Sequence, residues 1–106
     1  MTLFDTHAHL LDEQFDRDRD RIIRTLPALG VGYAVEACCD GTHIPKIEAL
    51  VAVYDHIYGS AGVHPHSASM LTRFDLNAIE RAVQKPKIVA VGEIGLDYHY
   101  DLAPRD

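Results

Sequence analysis

Two histidines one residue apart, His7 and His9, lie in the run Leu3-Phe4-Asp5-Thr6-His7-Ala8-His9-Leu10. The run reads as a β-strand, along which successive side chains alternate between faces. Asp5, His7 and His9 are therefore expected on one side, and Phe4, Thr6 and Ala8 on the other. Two imidazoles on one face can reach one cation. The competing reading of a bare His-x-His is a strand carrying a histidine that is simply hydrogen-bonded. A distant carboxylate shifts the balance. On the run Lys87-Ile88-Val89-Ala90-Val91-Gly92-Glu93, the side chains of Val89, Val91 and Glu93 share a face, which aims Glu93 inward among apolar neighbours. Such a carboxylate is unfavourable unless it is paired, caps a backbone N–H or binds a cation. Two imidazoles plus one oxygen ligand able to bridge suit zinc, manganese or a similar divalent ion.

Other polar residues sit near these. His64-Pro65-His66 repeats the i, i+2 spacing, but Pro65 bends the chain, so a common orientation is not imposed. His64 reads either as a substrate contact or as a loop residue. Asp97 follows the flexible Gly95 and either orients a ligand from behind or stabilises a turn. His99 is expected to be exposed or behind the ligands, and His43 and His56 to have no chemical duty.

The elements that must position these groups follow from periodicity. A helix is expected over residues 17–28, with Ile22, Ile23, Leu26 and Leu29 as its apolar stripe. The alternating acids and arginines of residues 16–21 read as a solvated face. A second strand is expected over 33–38. A second helix follows an N-cap at or near Thr42, with Pro45 in its first turn and a stripe of Ile44, Ile47, Leu50, Val51 and Tyr54. A third strand covers 56–63, a loop runs to about Arg73, and a third helix starts from Asp75 as N-cap and carries Leu76, Ile79, Ala82 and Val83. Lys85-Pro86 ends it before the fourth strand, 87–93. Short apolar strands alternating with amphipathic helices define an α/β chain with a parallel sheet and right-handed crossovers. Every suspect polar group falls at the C-terminal end of a strand, the face on which β/α barrels build their sites. A barrel needs eight strands and about 250 residues. Residues 1–106 are therefore expected to form the first half, four strands, of one TIM (β/α)8 barrel.

Composition narrows the partners. The chain has 106 residues, 47% of them hydrophobic, and a formal charge of −6. That balance argues against a broad basic surface for nucleic acid. It leaves room for a phosphate-bearing substrate where divalent ions neutralise the local carboxylates. No apolar run approaches the roughly 20 residues of a bilayer span, and the N-terminus lacks a basic segment followed by an apolar one. The expectation is a cytoplasmic protein with no membrane partner. Cys38 and Cys39, the two cysteines, are adjacent, which leaves no disulfide framework and no Cys-x-x-Cys knuckle; both are expected to be reduced and structural.

Three stretches, Phe4-Asp5-Thr6-His7-Ala8-His9-Leu10, Gly62-Val63-His64-Pro65-His66 and Val91-Gly92-Glu93-Ile94-Gly95-Leu96-Asp97-Tyr98, together resemble the TatD family of metal-dependent hydrolases among the amidohydrolase-like barrels. The resemblance covers the whole chain. It implies two divalent ions (zinc, magnesium or manganese) and hydrolysis of DNA phosphodiesters, often as a 3′-to-5′ exonuclease. It makes His7, His9 and Glu93 metal ligands, with Glu93 bridging, and puts His64 and Asp97 against the substrate or behind the ligands. The family's further two histidines and an aspartate come from later strands, so this stretch is expected to be incomplete for catalysis. Two other readings stay open: hydrolysis of an amide, lactone or phosphomonoester on the same barrel, and a non-catalytic half-barrel that binds a partner, or a second copy, through its exposed edges.

Overall fold

The computed structural model describes residues 1–105. Four strands, β1 (Leu3–Ala8), β2 (Val31–Glu36), β3 (Ile57–Ala61) and β4 (Ile88–Val91), pair in parallel in the order β1-β2-β3-β4. Three helices make the crossovers: α1 (Arg19–Thr25), α2 (Ile44–Val53) and α3 (Arg73–Ala82). Short 3-10 turns lie at Glu13–Phe15, Pro27–Leu29 and Pro65–Met70.

The helices seal one face of the sheet. Ile23 from α1 and Ile44, Ile47, Leu50 and Val51 from α2 pack with Ala34, Ile57, Ala61 and Ile88 of the strands in a single core. The stripe expected of α2 is the one buried, with Tyr54 completing it. Helix α2 comes so close to β3 that a Cβ on Gly59 would collide with Ile47 Cγ2, and it would also lie 3.0 Å from Ile88 Cδ1 of β4. Among the described residues the opposite face carries no helix. There Phe4 stacks on Tyr33 with ring centroids 5.5 Å apart, Tyr58 follows at 6.2 Å from Tyr33, and Val89 and Val91 are 53% and 55% exposed.

Several boundaries differ from the periodicity. Helix α1 begins at Arg19, not at residue 17, and ends at Thr25; Leu26 keeps helical angles, and Pro27, with no N–H to donate to Ile23 O, opens a 3-10 turn in place of another α-helical turn. Arg19 is also more than a solvated charge. Its guanidinium donates to the carbonyls of Leu10, Leu11 and Asp12 and to Asp16 Oδ1, which pins the connection after β1. Helix α3 is capped by Thr72, not Asp75. Thr72 Oγ1 accepts from Asp75 N at 3.2 Å and Asp75 Oδ2 accepts from Thr72 N at 2.8 Å, a reciprocal capping box. The strands are shorter than their apolar runs, which leaves His9, His64 and Glu93 in the loops just beyond the C-terminal ends. Among the described residues no helix is long and apolar enough to cross a membrane.

Candidate metal centre

Strand β1 does not keep the strict alternation expected of it. Phe4 aligns with Tyr33 and Asp5 with Ala34, but Ala8 aligns with Glu36, so three steps along β1 match two along β2. This bulge resets the faces. Thr6 and His7 both line the cleft bounded by Val35, Ser60, Val91 and Glu93 on the helix-free side. Asp5, expected beside the histidines, aligns instead with the core residue Ala34, and its Oδ1 accepts from His7 N at 3.0 Å. The bulge thus uses Asp5 as a backbone cap, and its carboxylate is not one of the clustered donors.

His9 is held by a residue that the sequence pattern hides. Glu36, 2% exposed, accepts from Leu10 N at 2.6 Å and from Leu11 N at 2.9 Å. Ala37 N donates to Ala8 O at 2.8 Å on the other side of the turn. Burial pushes the Glu36 carboxyl above its ordinary range, and the Leu11 and Leu10 amides pull it back only in part. The available signal was a glutamate inside the apolar run Ala34-Val35-Glu36-Ala37-Cys38 with no cation near it in sequence.

Glu93 is delivered by the other end of the sheet. Gly92 N donates to Ala61 O at 2.9 Å and Glu93 N to Cys38 O at 2.8 Å, around a cis Gly92–Glu93 peptide. The backbones are packed so closely here that a Cβ on Gly62 would lie 2.5 Å from Gly92 C and 2.6 Å from Glu93 O. The carboxylate, 19% exposed, then meets both imidazoles: His7 Nε2 is 3.6 Å from Oε1, His9 Nε2 is 3.9 Å from Oε2, and the two Nε2 atoms are 3.2 Å apart. Among the described residues, His7, His9 and Glu93 form the group whose ligand atoms all lie within 4.8 Å of one another. Two nitrogens each about 2.05 Å from one tetrahedral zinc stand ~3.4 Å apart. The donor set and its spacing therefore fit a divalent ion.

The neighbouring groups fall into two sets. His64 reaches the centre: its Nε2 is 3.6 Å from Glu93 Oε1. Cys39 also reaches it, with Sγ 3.7 Å from Glu93 Oε2, and burial followed by the adjacent carboxylate pushes this thiol up to about 11. Cys38 is structural, buried with Sγ donating to the carbonyls of Asp40 and Gly62. Asp97 does not touch the clustered donors. Its Oδ1 accepts from His99 N at 3.0 Å and Tyr100 N at 3.4 Å, and its Oδ2 lies 2.9 Å from His66 Nε2. That last contact is at ion-pair distance without the alignment of a hydrogen bond. Burial raises the Asp97 carboxyl, but the two amides and His66 outweigh it, and the net direction is down. The His99 side chain is exposed. His56 Nε2 sits 3.0 Å from Ile23 O, and His43 stands at the start of α2.

Comparison with known proteins places this geometry in context. The family model described as TatD related DNase matches residues 4–106. An uncharacterized metal-dependent hydrolase, YabD of Bacillus subtilis, is 41% identical over 104 residues, covering 98% of this chain and 41% of that protein. A protein named 3′-5′ ssDNA/RNA exonuclease TatD, from Escherichia fergusonii, is 33% identical over 97 residues, covering 92% of this chain and 37% of its own length. The crystal structure of YjjV, a TatD homologue from Escherichia coli K12, superposes with a TM-score of 0.81 at 28% identity, over 91% of this chain and 38% of that one. The chain thus spans about two-fifths of the length of the curated relatives it matches.

Proposed function

Since the chain belongs to the TatD-related DNase family, we propose that it supplies the first part of a two-ion phosphodiesterase site acting on nucleic acid. The observation that carries this is the convergence of His7, His9 and Glu93 from opposite edges of one sheet. Divalent ions such as zinc, manganese or magnesium supply, when bound, the Lewis acidity and charge neutralisation that attack of water on a phosphodiester requires. His7 and His9 would hold one ion through their Nε2 atoms. Glu93 offers Oε1 on the side of His7 and His64 and Oε2 on the side of His9 and Cys39, an arrangement suited to bridging. The remaining ligands belong to strands that this stretch does not contain. A chain with a charge of −6 grips a polyanion through its ions, not through a basic surface. His64 faces the substrate, and Asp97 supports it from behind.

The metal reading is tested by loading the chain with zinc or manganese and measuring the ion retained after gel filtration. Wild type retains it, and His7→Ala, His9→Ala and Glu93→Gln lose it; equal retention in all four would sink the site. The substrate reading is tested in a graft of residues 1–105 onto the C-terminal portion of the Escherichia fergusonii exonuclease. Chelator-sensitive release of nucleotides from 3′-labelled single-stranded DNA is expected, and is lost with Glu93→Gln. A folded, metal-loaded graft that cleaves no nucleic acid refutes the assignment.

A further inference from the structure

We infer that His64 is locked as the Nε2–H tautomer and serves the metal centre as a hydrogen-bond donor to an anionic oxygen, not as a ligand, with His66 and Asp97 as the positioning residues behind it. The identity of the anion, a phosphoryl oxygen of the substrate, rests on the function proposed above; the tautomer does not.

His64 stands at the N-cap of the turn Pro65–Met70, and its Nδ1 accepts from His66 N at 3.0 Å. A backbone N–H can only donate, so Nδ1 carries the lone pair. A neutral imidazole has one N–H, which must then be on Nε2. That nitrogen is the one 3.6 Å from Glu93 Oε1. An Nε2–H has no lone pair to give an ion, so towards the carboxylate, or a substrate oxygen at the same centre, His64 can act only as a donor. The ring cannot turn over without losing its cap. The residue is pinned on both sides, His64 N to Cys39 O and Ser67 N to His64 O, each at 2.8 Å.

A second layer holds the turn. The His66 ring packs edge-on against His64 with centroids 4.3 Å apart, and Tyr100 closes on His66 at 5.2 Å. Asp97, its side chain 18% exposed, sets Oδ2 2.9 Å from His66 Nε2 while Oδ1 takes the His99 and Tyr100 amides. One carboxylate therefore ties the 97–100 turn to the 64–67 turn, and through His66 it fixes the amide that dictates the proton position on His64.

Long-range 1H–15N correlation spectra of the 15N-labelled chain, recorded at alkaline pH where imidazoles are neutral, read each tautomer directly. His64 is expected wholly as Nε2–H. On adding zinc, the His7 and His9 nitrogens shift and the His64 Nε2 keeps its proton. On adding dimethyl phosphate to the zinc-loaded chain, that proton shifts. In Asp97→Asn, and independently in His66→Gln, the His64 signal becomes a tautomer mixture while the sheet amides stay in place. An Nδ1–H form in wild type, or loss of the Nε2 proton to zinc, overturns the lock. An unmoved proton with dimethyl phosphate overturns the donor role. A pure Nε2–H form in both variants overturns the positioning role. Should zinc move no histidine, the metal reading and the donor role at that centre both fall, whereas the tautomer is still decided by the zinc-free spectrum.

Discussion

Replacing Glu36 by glutamine removes one of the two acceptors that hold the turn carrying His9. The carboxylate is 2% exposed and receives Leu10 N at 2.6 Å and Leu11 N at 2.9 Å. Glutamine keeps one acceptor oxygen and turns an NH2 toward the other amide, which is left buried and unpaired. The hydroxyl oxygen of the protonated carboxyl still offers lone pairs to that amide, whereas the NH2 does not, and an unsatisfied buried donor costs about 1–3 kcal/mol. In acid the expected loss is ~2 kcal/mol, which lowers Tm by about 8–16 °C in a domain of this size. Once the carboxyl ionises, the variant also removes a buried charge, which offsets part of this. The pH dependence gives an independent handle. Burial raises the Glu36 carboxyl in the native state above its unfolded value of about 4.3. Its stabilising contribution is therefore fully present below the unfolded value and is lost as pH rises through the native one, while glutamine does not titrate. The gap between wild type and Glu36→Gln is widest in acid and narrows toward neutrality. Thermal melts followed by circular dichroism between about pH 4 and pH 8 test both statements. A variant that melts with wild type, or a gap that widens as pH rises, refutes the reasoning.

Gly62→Ala places a methyl group against the backbone of Gly92 and Glu93; it is expected to cost about 1–3 kcal/mol as an overpacked contact and to weaken zinc retention by displacing Glu93, read by urea denaturation and metal analysis on the same sample. Thr72→Ala removes the α3 cap and lowers stability by about 1 kcal/mol, with zinc retention unchanged; a shift in the urea midpoint without metal loss is the expected pair of results. Tyr54 Oη donates to Asp20 Oδ1 at 2.7 Å, a bond that draws the Asp20 carboxyl down and pushes the Tyr54 hydroxyl up. The depressed carboxyl contributes stability that is present above about pH 3.9 and lost as pH falls through its native value; the raised hydroxyl contributes stability that is present below about pH 10 and lost as pH rises through its native value. Tyr54→Phe is therefore less stable than wild type in the middle range, with the difference closing at both extremes of a pH series of denaturation midpoints.

The order of strands and helices was legible because each α2 or β3 residue obeys one period, and one period is a local property. Caps were less legible: Thr72 and Asp75 are both good cap residues, and only the reciprocal bond decides that Asp75 is the third helical position. The grouping of His7, His9 and Glu93 was legible, but not the supports that produce it. His7 and His9 come together through a bulge that strict alternation does not contain, and the same bulge turns Asp5 into a cap. Glu36 meets its amides 25 and 26 positions earlier in the chain, and Cys39 meets Glu93 across 54. Pairings at that separation leave no mark on either residue's neighbours. The bend at Pro65, by contrast, was legible, and it is what frees His64 Nδ1 to take the amide of His66.

Because each of these four strands pairs with the next one in the chain, this part of the sheet can grow as it is synthesised. The imidazoles of His7 and His9 emerge 86 and 84 residues before the carboxylate of Glu93, roughly 4–17 s earlier at ordinary translation speeds. Through that interval the nascent edge has the nitrogens of the centre without its oxygens, so capture of an ion would report that the fourth strand has docked.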